Sequence, residues 1–191
     1  LNSDPNILAS WRPALMAIFV SLQAGIWEES LFRAIPLALA ALIGRRFGIE
    51  RGLVIFVLIF QALVFAAAHA NYPQSPGYAR VVELFVPAMA FGLVYLRYGL
   101  LPGIVCHVIY DLVLISLPLF WSDAPGLWVD RGLVIFVGVI PLLVLARAWL
   151  KAGGWVPLAE SVRHGEPSAP PQPQVEEKAA DAHSATAADS R

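Results

Sequence analysis

Five stretches of the chain stay apolar long enough to cross a membrane, and polar linkers separate them. They run from about Pro13 to Ile43, Gly52 to Asn71, Val81 to Tyr98, Leu101 to Trp121 and Leu133 to Leu150. A spanning helix needs roughly 20 mostly apolar residues, whereas a barrel strand needs about ten of alternating polarity. These runs are continuous rather than alternating, so the pattern predicts helices. The first run differs from the rest. Glu28, Glu29 and Arg33 interrupt it near its middle, and Pro36, which has no N–H to donate, predicts a kink or break just beyond them. The expected fold class is all-α, a polytopic transmembrane helix bundle of about five spans. It divides the chain into an N-terminal flank (1–12), a membrane domain (13–151) and a tail (152–191).

Composition agrees with this pattern. Of 191 residues, 58% are hydrophobic and 14% charged, with mean hydropathy +0.67; soluble domains run at roughly 45–50% and about 25%. A net charge of -1 provides no global field for nucleic acid. The expected surroundings are therefore a lipid bilayer, with no nucleic-acid partner. The single cysteine, Cys106, allows no internal disulfide. The opening LNSDPNILASWRP lacks the basic and apolar regions of a cleavable signal. Beyond Ala152 the chain is rich in Pro, Ala and acidic residues, which predicts a disordered tail whose PPQPQ is solvated.

The linkers set an expected orientation. Arg45, Arg46 and Arg51 crowd one turn, and Arg97, Arg147 and Lys151 fall on the same side, while Arg12, Arg80 and Arg131 are spread over the other. Lys and Arg concentrate on the cytoplasmic face. A multi-pass protein of the plasma or inner membrane with a cytoplasmic C-terminal tail is expected. Trp11, Tyr72, Tyr78, Tyr98, Trp121, Trp128 and Trp149 lie near span ends, where an aromatic belt belongs.

Charge at bilayer depth is costly, and three predicted spans carry ionisable groups there. In WEESLFRAIP, Glu29 and Arg33 are four residues apart on one helix face and can pair, while Glu28 points about 100° away. Two readings fit this cluster: an ion-pair network that locks helices, or a poorly neutralised carboxylate suited to general base work. In the second span, Gln61, Phe65 and His69 share a stripe, and the surrounding alanines allow close helix approach. In the fourth, His107 and Asp111 share a face, so the carboxylate can orient the imidazole. For each histidine alone, a structural hydrogen bond is the competing reading. Taken together, the groups are most cheaply satisfied by converging on one internal cavity. Such a cavity can activate water, or bind zinc through Glu28, His69 and His107. The expected spans place His69 near an outer end and His107 near a cytoplasmic start, so tilt or kinks must bring them level. Neither HExxH nor GxSxG occurs in the chain.

EESLFR, FAAAH and HVIYD fit the motifs EExxxR, FxxxH and Hxxx(N/D), in that order. With the lead-in MAFGLVYLRYGLLPGIVCH, they make residues Gly25 to Leu119 resemble the CPBP family: the CAAX prenyl protease 2 and bacteriocin-processing (Abi, lysostaphin-resistance-A-like) intramembrane proteases. The resemblance implies an all-helical intramembrane endopeptidase acting on a peptide or protein substrate at the membrane, prenylated in eukaryotic members. By motif position, Glu28 and His69 would activate the attacking water, and His107 and Asp111 would stabilise the oxyanion. Glu29, Arg33 and Phe65 would support them. An ionised Asp111 cannot donate a hydrogen bond, so it is expected to orient His107 or to carry a proton. Members have been labelled metalloproteases, yet a metal-free glutamate mechanism also fits the family, so zinc stays open as a cofactor. Some bacterial members act as scaffolds or in bacteriocin immunity, which is the alternative function; a transporter or proton relay is a further one.

Overall fold

The computed structural model describes residues 8, 10–71, 76 and 78–156. Helix α1 (Pro13–Glu28) begins with a proline in its first turn, where the missing N–H costs nothing. The next donor, the amide of the buried Ala14, is capped from a distant helix: Asp130 Oδ1 accepts its hydrogen bond at 3.1 Å. Asp130 is buried and also faces Arg12 at 3.8 Å.

Helix α1 does not end at Glu28 in any ordinary sense. The backbone passes into a π-helical segment (Glu29–Ala34) and then into α2 (Ile35–Phe47), staying right-handed at both junctions. Pro36 therefore breaks nothing. It sits in the first turn of α2, and the adjustment that it requires falls on the residues before it. The Ile35 amide reaches back to the Ser30 carbonyl, one residue further than in an α-helix. The first predicted span is thus a continuous helix from Pro13 to Phe47, with its wide turn formed by the charged motif itself.

The remaining helices are α3 (Glu50–Ala68), α4 (Tyr78–Tyr98), α5 (Leu100–Trp121) and α6 (Leu127–Ala152). These four are long and apolar enough to cross a membrane. Together with the long first helix they give the all-helical bundle expected, with no strand among the described residues. Gly48, at φ 71, closes α2, and the Ile49 amide returns to the Gly44 carbonyl at 2.9 Å, so α3 folds straight back along α2. The interior is small: Ala17, Leu37, Ala62, Ala88, Leu112 and Leu119 are nearly inaccessible. Phe19, Phe56, Leu101 and Phe136 point outward, as expected of helices whose solvent is lipid. The tail expected to be disordered, with PPQPQ, and the belt residue Tyr72 lie outside the described residues.

Helix α5 packs along α1, α3 packs along α2, and the π segment between them touches α3, α4 and α5. The first helix is thus shared lengthwise between two partners. At Gly25 a side chain would meet Val108 and come within 3.3 Å of the Ile104 carbonyl oxygen, so only glycine lets α5 lie this close.

Candidate active site

The charged motif is where the two halves of the first helix change partners, and this levels the two histidines. α3 starts beside Gly44 and runs antiparallel to α2, so its last turn arrives at Glu28. α5 runs antiparallel to α1 and passes the same point early in its length. His69, which caps the end of α3, and His107, in the second turn of α5, therefore meet at one carboxylate despite their different places in their helices.

Glu28 stands between them. Its Oε1 lies 3.8 Å from His69 Nε2, and its Oε2 lies 3.6 Å from His107 Nε2. Both separations are within ion-pair range of a protonated imidazole. The Glu28 side chain keeps 25% of its exposure, so it is open where Glu29 is sealed.

Glu29 is its opposite. It is completely buried, and its Oε1 takes two partners: Arg33 Nη1 at 3.1 Å and His107 Nδ1 at 2.7 Å. Gly103 lies against the other oxygen, Oε2, where a β-carbon would stand 3.2 Å away. Arg33 is also completely buried. Its guanidinium lies 4.3 Å from the centre of the Phe65 ring and 5.5 Å from that of Phe91. Phe65 meets Phe32 edge-on at 5.2 Å, which holds that ring in place.

These contacts determine which way each ring is turned. His69 Nδ1 is 2.7 Å from the Phe65 carbonyl oxygen and must donate to it, which turns Nε2 toward Glu28. His107 Nδ1–H donates to Glu29, leaving Nε2 toward Glu28 and, at 3.5 Å, Asp111 Oδ2. Helical spacing pairs His107 with Asp111, either to orient the ring or with Asp111 protonated. The short hydrogen bond to the ring comes from Glu29, seventy-eight positions away in sequence; Asp111, one helical turn along α5, faces Nε2.

All seven residues singled out from the sequence are in this cluster: Glu28, His69, His107 and Asp111 around the open side, Glu29, Arg33 and Phe65 behind. One further residue belongs with them. Phe91 stacks flat on the His107 ring, with centroids 4.6 Å apart and planes 13° apart, so it limits how the imidazole can tilt. A phenylalanine inside an apolar span carries no chemical signal; its place before Gly92 in MAFGLVY was the only hint.

Glu28, His69 and His107 were also the candidate zinc ligands. No group of three or more His, Cys, Asp or Glu among the described residues is arranged to hold a metal ion.

A family profile described as type II CAAX prenyl endopeptidase Rce1-like matches residues 10–113. The chain is also similar to the sporulation-killing factor biosynthesis protein SkfC of Bacillus subtilis (strain 168), with 24% identity over 101 residues. That stretch is 53% of this chain and 19% of SkfC, so the chain spans about a fifth of that relative's length. No solved structure matches.

Proposed function

The chain belongs to the type II CAAX prenyl endopeptidase Rce1-like family, and from that premise we propose that it is an intramembrane endopeptidase that hydrolyses a peptide bond by water activated at Glu28. The observation that carries this reading is the contrast between two adjacent carboxylates: Glu29 is sealed and fully engaged at Oε1, while Glu28 is partly exposed and stands between two imidazole nitrogens.

In the proposed reaction a water donates one hydrogen to Glu28 and the other to the lone pair of His69 Nε2. Its oxygen lone pair is then aimed at the scissile carbonyl. Glu28 takes the proton as the water oxygen bonds to the carbonyl carbon, and passes it to the leaving amine as the C–N bond breaks. The carbonyl oxygen, negative in the intermediate, needs donors. With Nδ1–H committed to Glu29, His107 donates from Nε2 only when it carries both ring protons. The carboxylates of Glu29, Glu28 and Asp111, 2.7 to 3.6 Å from its nitrogens, are the counter-charges that such a cation requires. Asp111 serves either to support that charge or, when protonated, as a second donor.

The substrate in this reading is a peptide or protein segment at the membrane, with a prenylated C-terminal segment as the first candidate from the family's name. The proposed orientation has Arg45–Arg51, Arg97 and Lys151 on the cytoplasmic face. A fluorescent protein fused after the last residue should then light up in intact cells. The decisive test is cleavage of paired prenylated and unprenylated peptides in detergent by wild-type and Glu28→Gln protein. Loss of cleavage by about a hundredfold or more in the variant is expected; cleavage by Glu28→Gln at the wild-type rate would overturn the proposal and favour a scaffold on the same fold.

A further inference from the structure

Tyr95 has no part in the chemistry above, yet its side chain reaches the charged motif from α4. The half-buried hydroxyl donates to the Ala34 carbonyl oxygen at 3.4 Å. Ala34 is the last residue of the π segment and directly follows Arg33. One turn earlier on the same face of α4 is Phe91, stacked on the His107 ring at 4.6 Å. Ala88, Phe91 and Gly92 on this stripe are buried, so this is the side that α4 turns to the bundle.

The two contacts from α4 close a loop of measured distances around the site. It enters the first helix at Ala34, through the Tyr95 hydroxyl. Arg33, next along the backbone, pairs with Glu29 at 3.1 Å, and Glu29 holds His107 Nδ1 at 2.7 Å. His107 lies against Phe91, four residues before Tyr95 on one helix. The Arg33 guanidinium also stands 5.5 Å from the centre of the Phe91 ring.

The yielding member of this loop is the backbone of the first helix. A π turn is the rare state, and the flanking α1 and α2 are the common one. Tightening Glu29–Ala34 toward an α-helix would rotate α2 against α1. It would carry the Ala34 carbonyl away from Tyr95 and turn Arg33 relative to Glu29. The Tyr95 hydrogen bond, made from a separate helix, opposes that rotation.

We propose that Tyr95 is a positioning residue for the site: its hydroxyl pins the π segment in the register that keeps Arg33 on Glu29 and Glu29 on the His107 imidazole. The pin rests on geometry alone; the effect on turnover rests on the peptidase reading.

The experiment uses the whole chain in detergent. Tyr95→Phe keeps the ring and removes the donor. Tyr98→Phe, the control, removes a hydroxyl from an exposed ring three residues further along α4. Two quantities are read: amide hydrogen exchange by mass spectrometry over residues 29–35, and peptide cleavage per folded molecule, resolved into kcat and KM. In Tyr95→Phe, exchange over 29–35 should be about fivefold faster while that of α6 is unchanged, and kcat should fall about fivefold with KM nearly unchanged. Tyr98→Phe should match wild type in both. Exchange over 29–35 that is unaltered in Tyr95→Phe would overturn the pin. Faster exchange with unchanged kcat, or an equal loss of kcat in both variants, would overturn the positioning role. If wild type cleaves no peptide, the peptidase reading fails and the exchange measurement still decides the pin.

Discussion

Glu29→Gln removes one charge and almost no volume, and the structure states what that charge holds. Both polar contacts of Glu29 converge on Oε1, at 3.1 Å from Arg33 and 2.7 Å from His107, while Oε2 has no partner. A glutamine can therefore keep its oxygen where Oε1 was and put its NH2 where Oε2 was. Geometry survives; the counter-charge of a completely buried guanidinium does not. Breaking a buried pair by removing one partner costs about 3–5 kcal/mol, and with the dipole retained the lower end applies. For a domain of this size each kcal/mol shifts the midpoint by about 2–4 °C, so Glu29→Gln should melt about 6–12 °C below wild type. Glu28→Gln is the matched control. Its contacts, at 3.6 and 3.8 Å, are longer than hydrogen bonds and its side chain is 25% exposed, so its stability cost should stay within about 1 kcal/mol. Circular dichroism melts of both variants in one detergent, paired with peptide cleavage, separate the two roles: Glu29→Gln should lose stability, and Glu28→Gln should lose turnover with its fold intact. A Glu29→Gln protein that melts with wild type, beside a Glu28→Gln protein that melts far below it, would reverse the assignment and refute the reasoning.

Three other substitutions probe the walls of the site and its frame. Gly103→Ala places a methyl 3.2 Å from Glu29 Oε2, and displacement of the carboxylate by tenths of an ångström should lower kcat about tenfold with a small change in melting, measured by the same two assays. Phe91→Leu removes the ring stacked on His107 at 4.6 Å and should cost about 1–2 kcal/mol in thermal melts, with a matching fall in turnover that Phe91→Tyr, which keeps the ring, largely avoids. Asp130→Ala deletes the cap on the Ala14 amide and should cost about 1 kcal/mol, whereas Asp130→Asn keeps an acceptor there and should melt close to wild type; cleavage per folded molecule should be unaffected in both.

Much of the molecule was legible before any coordinates. The helical spans follow from apolar run lengths, because a bilayer permits few ways to satisfy a backbone. The pairing of Glu29 with Arg33 follows from helical spacing, and their contact in the structure matches it. The suspicion that Glu28, His69, His107 and Asp111 share one cavity follows from the expense of leaving ionisable groups in lipid. Pro36 was legible only in part: a missing donor announces that hydrogen bonding must change, but not that the chain absorbs it as a π turn over Glu29–Ala34 without breaking.

What no pattern along the chain contains is which atom faces which. Local spacing offered Asp111 as the partner that orients His107, since the two are one turn apart; packing of α5 against α1 brought Glu29 to Nδ1 instead and left Asp111 at Nε2. The same packing recruited Phe91, whose type is unremarkable in a span, and set Gln61 one turn behind Phe65 beside Gly92. Periodicity reports neighbours within a helix, because the helix repeats every 3.6 residues. Contacts between helices depend on where glycines permit approach and on how far each partner runs along the first helix. In sequence alone, therefore, this is a membrane bundle with costly charges in three of its spans; only the tertiary structure divides those charges into one sealed carboxylate and one left partly open.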